Sequence, residues 1–320
     1  IDMPGFEAEM TKQRDRARSA GDFKTTQKGV DISDATEFLG YEQLENSSSV
    51  QALIKDGELV DSIDAGDNAI IVLAQSSFYG ESGGQVGDSG LLSNVDVKFD
   101  VNNTQKQKSG AFEHHGVLNS GILKVSDVVS ASVDKNRRKR IARNHSATHL
   151  LHAALRTVLG ETVTQKGSLV DGDKLRFDFS HDEVISKADI DKIEGMVNRK
   201  ILGNTIVHTD VTDIKTAKKN GAMALFGEKY GNTVRVLTMG KDDFSVELCG
   251  GTHVNQLGDI GLFRITSEGG IAAGVRRIEA MSGYDAYQFD KQTEDSLSEI
   301  AQMTKSNNAQ AVEKVAQLIK

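Results

Sequence analysis

The sequence of 320 residues predicts an α+β protein: a small β-barrel, then a second α+β unit, with helical segments at both ends. Three observations carry that prediction. Between about residues 34 and 133, short runs rich in Val and Ile are bounded by Gly, Asp and Asn, which is the pattern of closely spaced strands in a small barrel. After Asn144 the apolar period becomes helical, with Leu150, Leu151, Ala154, Leu155, Val158 and Leu159 forming one stripe. Beyond residue 284 helical spacing returns through Leu297, Ile300, Met303, Val312, Val315 and Leu318, with a break near Ser306-Asn307-Asn308.

Composition narrows the classes. No apolar run is long enough to span a membrane, and the first residues lack a basic-then-apolar secretory pattern. A lone cysteine makes no internal disulfide, so a reducing, cytoplasmic setting is expected. The net charge of −8 argues against indiscriminate nucleic-acid binding and against an anionic membrane surface, yet leaves room for a local basic strip. The chain opens with Ile1 in mid-helix pattern, and a piece of a longer protein is expected.

Taken in order, residues 1–33 read as a helical tail, with few apolar positions (Phe6, Met10, Ala17) among many charges. The barrel, residues 34–133, is expected to use strands over Glu58–Ile63, Asn68–Gln75 and Val95–Val101. Within it, Tyr79–Asp88 is crowded with glycines, among them Gly83 and Gly84 before Gln85. Such a loop is either a tight barrel corner or a place where backbone closely approaches a phosphate chain. His114 and His115 lack helical spacing and read as strand or loop residues. Residues 134–283 form the second unit. Asp134 is a good N-cap for a short helix bearing Arg137, Arg138 and Arg140, a run that is either a solvated face or a phosphate contact. Strands are expected at Leu175–Phe179, Thr205–Asp210, Thr233–Met239, Phe244–Leu248, Gly261–Glu268 and Gly274–Ala280, with helices near 186–202 and 213–220. Gly221–Gly231 reads as a loop that could cover a pocket. Arg276 and Arg277 should face opposite sides of their strand, and one of them could hold a carboxylate or phosphate bidentately. Residues 284–320 are the closing helical segment.

The chain is organised around His145 and His149. Their spacing puts both imidazoles on one helical face, about one turn apart, with Asn144 as a candidate N-cap and Gly160 as a candidate C-cap. The apolar stripe is centred away from them, so the two rings are expected to be free to meet a partner. Cys249-Gly250-Gly251-Thr252-His253 offers that partner: the only cysteine, a histidine four positions on, and two glycines that let the backbone fold tightly. His145, His149, Cys249 and His253 make a set of nitrogen and sulfur donors that suits Zn2+. A zinc-protease helix would need Glu after the first histidine, where this chain has Ser146.

These two motifs together resemble the editing domain of the alanyl-tRNA synthetase family, and more distantly that of threonyl-tRNA synthetases. Further blocks carry the likeness: Phe78–Asp88, Val163–Ser168 and Leu175–Phe179, in the same order along nearly the whole chain. The resemblance implies a zinc-containing editing domain over 134–283. It implies a tail of a tRNA-recognition region before the barrel, and the start of an oligomerising helical region after residue 284. The implied partner is tRNA(Ala) mischarged with Ser or Gly, and the implied reaction is hydrolysis of the aminoacyl ester. Charging of tRNA is not expected, since no motif set for ATP binding or amino-acid activation is apparent.

An editing site that hydrogen-bonds the serine hydroxyl can spare alanine, which would leave buried polar groups unpaired. Thr148, between the two histidines, and Gln165, just beyond the helix, suit that task in the matching blocks. Their plainer readings are a helix residue bonded to its own backbone and a turn residue. Gly83, Gly84, Gln85, Arg137, Arg138 and Arg276 are the candidate tRNA contacts. Zinc with an open position would activate water or polarise a carbonyl, whereas four protein ligands would close the site. The alternative to an editing enzyme is a tRNA-binding module whose zinc is structural.

Overall fold

The computed structural model describes residues 30, 32–223 and 231–319. The expected N-terminal helix and most of the Gly221–Gly231 loop lie outside the described residues.

The first half is a closed antiparallel barrel. Glu45–Lys55 pairs with Asn68–Leu73, which pairs with Phe112–Ser120, and that strand pairs with Lys98–Lys106. Gly90–Ser93 and Val128–Val133 continue the ring, and Val128–Val133 returns to Glu45–Lys55, so six strands close on themselves. Closure removes the sheet edges that would otherwise expose unpaired backbone. Alternation supplies the core: in Lys98–Lys106, for instance, Phe99 and Val101 point inward while Lys98 and Asp100 face water. Leu53, Ile71, Leu92, Phe99 and Leu118 fill the interior. The strand expected at Val95 begins instead at Lys98. Asn94 accepts hydrogen bonds from the backbone of Asp96 and Val97, and that turn leaves Val95 in solvent.

The second half is built on helix α1, Lys135–Leu159. It lies in a core with α2, Lys187–Leu202, and a four-stranded antiparallel sheet ordered Gln165–Val170, Leu175–Ser180, Val275–Ser282, Phe263–Ala272. A three-stranded sheet, His208–Asp213, Thr233–Met239 and Ser245–Leu248, is flanked by the short helix α3, Ile214–Lys219. Leu150, Leu151, Ala154 and Leu155 meet Phe177, Phe179, Ile193 and Val197 in one apolar cluster. Helices α4, Tyr284–Met303, and α5, Ala311–Ile319, close the chain, with the break at the expected asparagines. Among the described residues no helix is long and apolar enough to cross a membrane.

Two helix expectations are corrected. Asp134 caps as expected, accepting from the N–H groups of Asn136 and Arg137, but the helix it starts runs unbroken to Leu159. Asn144 therefore lies in mid-helix, where its amide donates to the carbonyls of Asp171 and Gly172 and its oxygen accepts from Ser282. The two histidines do meet partners from elsewhere, Cys249 and His253. Residues 144–155 are buried all round the helix, as expected for a helix crossing the middle of a domain rather than lying on its surface.

Candidate metal centre

His145 and His149 project from α1 toward the turn after strand Ser245–Leu248, where Cys249 and His253 lie. The four ligand atoms fall within 4.8 Å of one another. Only glycine fits at 251, because a Cβ there would stand 2.1 Å from the His145 ring.

Each of the three histidines turns Nδ1 to an oxygen. His145 Nδ1 meets Gln85 Oε1 at 2.7 Å, His149 Nδ1 meets Glu247 Oε2 at 2.8 Å, and His253 Nδ1 meets Ser146 Oγ at 3.3 Å. An Nδ1–H donated in this way leaves the Nε2 lone pair for a metal. His145 Nε2 and His253 Nε2 lie 3.5 and 3.2 Å from Cys249 Sγ, while His149 Nε2 is buried with no hydrogen-bond partner among the described residues. A buried orphan nitrogen is costly unless something absent from the protein chain satisfies it. The orphan and the donor set both fit a metal ion.

The charges of the four groups are coupled. Burial alone would raise the Cys249 thiol, but His145, His253 and His149 outweigh it and hold the group well below its usual range. Burial, helped by His145 and His149 and opposed by Cys249, pushes His253 down to about 3, so its ring is neutral. At His149 burial is overcome by the charges on Glu247 and Cys249, which raise it to about 10, so a metal at its Nε2 would displace a proton. Burial would raise Glu247 too, yet His149 and His152 hold it well below the carboxylate range. The acceptor beside His149 is thus a full negative charge.

Comparison with known proteins adds sequence-wide likeness. Residues 1–137 match the family model described as "tRNA synthetases class II (A)". Residues 234–279, which include Glu247, Cys249 and His253, match "Threonyl and Alanyl tRNA synthetase second additional domain". Over all 320 residues the chain is 75% identical to the alanine–tRNA ligase of Ruthia magnifica subsp. Calyptogena magnifica. It is 70% identical to that of Vesicomyosocius okutanii subsp. Calyptogena okutanii and 52% identical to that of Pseudomonas entomophila. The chain belongs to the alanyl-tRNA synthetase family. It spans 37% of the length of the first two relatives and 36% of the third.

Several expected RNA contacts are occupied within the protein. Gln85 is buried: Oε1 accepts from His145 and from the Thr252 N–H, and Nε2 donates to Thr252 Oγ1, so its side chain is committed to the candidate ligand His145 and the turn beside it. Gly84 has φ +82° and would place a Cβ 2.7 Å from the Ser168 carbonyl; its own carbonyl accepts from Val170 N–H. The close approach this glycine permits is therefore to the second half of the same chain. Gly83, also at positive φ, lines a cleft beside His145 and Cys249. Arg138 is buried against Asp88 and donates to the carbonyls of Gly40 and Ser77, so desolvation within the protein excludes it from phosphate. Arg137 is half-buried and donates to the Gly87 carbonyl at 2.7 Å. Arg276 pairs with Glu268, while Arg277 grips Asp178 bidentately at 2.7 and 2.8 Å. The two arginines do face opposite sides, and both bind carboxylates of the protein.

Thr148 is buried and donates its hydroxyl to the Asn144 carbonyl at 2.8 Å. Gln165 begins the strand that pairs with Leu175–Ser180 and is half-buried. The sequence reading missed Glu247 and His152. His152 Nδ1 lies 2.9 Å from Glu247 Oε1, and its Nε2 is a second buried nitrogen without a hydrogen-bond partner among the described residues. Both carried a signal. Glu247 stands near the end of its strand two positions before Cys249, and His152 follows His149 at i+3, nearly one helical turn on.

Proposed function

We propose that this chain is the editing part of an alanyl-tRNA synthetase, working in the cytoplasm, and that it hydrolyses seryl and glycyl esters of tRNA(Ala) at a Zn2+ site formed by His145, His149, Cys249 and His253. The observation that carries the reading is the convergence of three oxygen-anchored imidazoles on one thiol, with His149 Nε2 left unpartnered. Zinc held there would supply Lewis acidity toward the ester, or a seat for the amino group of the substrate. The residues of the chain orient its ligands: Gln85 fixes His145, and Glu247, itself held by His152, fixes His149. The same reading divides the chain into a barrel domain, 34–133, and an editing domain, 134–283. It is supported by the separate apolar cores of the two halves. The ends, 1–33 and 284–320, belong on this reading to the neighbouring tRNA-recognition and oligomerising regions.

Thr148 and Gln165 are the proposed readers of the serine side chain. Because the Thr148 proton is committed to Asn144, its oxygen faces a substrate hydroxyl as acceptor only. Thr148→Val is expected to keep zinc bound while lowering seryl-tRNA hydrolysis. Unchanged activity and an unchanged preference for serine over alanine would remove Thr148 from the reading.

Burial of His145, His149 and Cys249 favours a second reading, a tRNA-binding module whose zinc is structural. One experiment separates the two: deacylation of Ser-tRNA(Ala) beside Ala-tRNA(Ala), with zinc content and circular dichroism followed before and after chelation. Selective seryl hydrolysis that disappears on chelation while the fold persists supports editing. No hydrolysis with a full equivalent of zinc, and unfolding on chelation, supports the structural site.

A further inference from the structure

The turn Cys249–His253 carries two of the four candidate ligands on a backbone that includes two adjacent glycines. Such a stretch has much conformational freedom to lose, so a ligand pair on it stands ready only if the backbone is held. Here it is held peptide by peptide. The Tyr41 hydroxyl, from the barrel half and 209 residues away in sequence, donates to the Gly250 carbonyl at 2.6 Å. That carbonyl shares one planar peptide with the Gly251 N–H, which points at Cys249 Sγ from 3.4 Å. Arg235 Nη1 donates to the next carbonyl, that of Gly251, at 3.2 Å. The N–H of the same peptide, on Thr252, donates to Gln85 Oε1 at 2.9 Å. The Arg235 guanidinium stacks 3.4 Å from the centre of the Tyr41 ring, which joins the two carbonyl donors into one assembly.

Both donors are themselves placed. The Arg235 carbonyl accepts from the Cys249 N–H at 3.1 Å, continuing the ladder between Thr233–Met239 and Ser245–Leu248 up to the turn. Tyr41 follows Gly40, whose carbonyl accepts from the buried Arg138 at 2.8 Å, and Phe38 packs edge-on against the Tyr41 ring at 4.7 Å. Arg138 belongs to α1, the helix that carries His145 and His149. The contacts therefore form a ring. The helix presents two ligands directly, and through Arg138, Gly40 and Tyr41 it sets the turn that presents the other two.

We propose that Tyr41 and Arg235 are positioning residues for the metal ligands Cys249 and His253: they latch the Gly250 and Gly251 carbonyls and so keep the thiol and the imidazole facing α1. The inference rests on the metal part of the reading above and is independent of the reaction at the site. Gln85 and Glu247 anchor individual ligand rings, whereas this latch acts on the backbone between two ligands. Glycine offers no side chain to steady itself, and at 251 a Cβ would strike the His145 ring, so the restraint has to come from outside the turn. A phenol suits the task, because it has few rotors of its own to immobilise.

The test titrates the metal-free chain with Co2+, and with Zn2+ in competition with a chelating dye. Cobalt reports a sulfur ligand through a charge-transfer band and the donor geometry through its visible bands. Tyr41→Phe keeps the ring over Arg235 and removes only the hydroxyl. It is expected to lower the affinity for both ions about tenfold, the lower end for changes behind a ligand, and to shift the charge-transfer band at full occupancy. The urea midpoint stays put, because Tyr41 is half-exposed. Arg235→Met removes the second donor, and the double variant loses less affinity than the product of the two single losses, as groups acting as a unit do. Wild-type affinity and spectrum in both single variants overturn the proposal. So does a shifted urea midpoint with an unchanged cobalt spectrum, the mark of a merely structural contact. Should the wild type bind neither ion, the metal reading fails on its own, and alkylation decides whether the turn is latched. The chain has one cysteine, so iodoacetamide reads Cys249 alone, and a buried thiol reacts through local opening. Several-fold faster alkylation of Tyr41→Phe upholds the latch, and equal rates overturn it.

Discussion

In the barrel, buried His114 has a partner on each ring nitrogen: Nδ1 donates to the Ile71 carbonyl and Nε2 accepts from the Ser76 hydroxyl. In the second half, buried His149 is anchored at Nδ1 by Glu247 and left open at Nε2. Burial disfavours the charged form of both rings, yet their pKa values end far apart. It pushes His114 down to about 4, whereas at His149 the neighbouring negative groups overcome it and raise the ring to about 10. Both halves bury a histidine, but only one leaves it incomplete. A finished hydrogen-bond set reads as structure, and an unfinished one, in a cluster of donors, reads as a place for something else.

Three variants bear on that contrast. The largest effect is expected at the joint between the halves. Arg138→Met strands the Asp88 carboxylate, which also accepts from the Tyr79 N–H, and should cost about 3–5 kcal/mol in urea unfolding. A loss below about 1 kcal/mol would mean that the joint tolerates an unpaired buried charge, against the usual cost. Next comes the finished histidine. Because His114 has a folded pKa below its unfolded value of 6.5, its contribution is complete above pH 6.5 and is lost as the pH falls toward about 4. On that account stability drops by about 3 kcal/mol across the window, and the drop should vanish in His114→Gln. Equal pH slopes for the two proteins would show that His114 takes up no proton on unfolding. The smallest effect is the most specific. Gln85→Met keeps the volume but removes the acceptor for His145, so zinc affinity measured against a chelating dye should fall about 10–100-fold while barrel stability changes little. Unaltered affinity would make the barrel a bystander to the metal centre.

Much of this organisation was legible in the sequence because it is local. Alternation in the barrel strands, the Asp134 cap, the break at Asn307 and the opposed directions of Arg276 and Arg277 each depend on residues a few positions apart. The quartet was legible for a different reason: histidine and cysteine are scarce, and their spacing within each motif is chemically restrictive. What stayed hidden depends on partners far along the chain. The Gln85 amide meets Thr252 across 167 residues, and Arg138 meets Gly40 across 98. In sequence, a buried arginine facing a carboxylate looks the same as a solvated one facing phosphate. Asn144 looked like a cap because its type favours caps, and tertiary partners at Gly172 and Ser282 overrode that preference. In sequence Glu247 looks like one more acidic residue of an acidic chain, although it stands two positions before Cys249.

The distance between the two ligand motifs also sets an order of events on the ribosome. His145 and Cys249 are 104 residues apart, so at about 5–20 residues per second the histidines wait roughly 5–20 s for the thiol. Throughout that interval the barrel, made first, already has Gln85 available to anchor His145. On the proposed metal reading, capture by the full quartet would be a late step of biosynthesis, since Cys249 and His253 are both made after that interval.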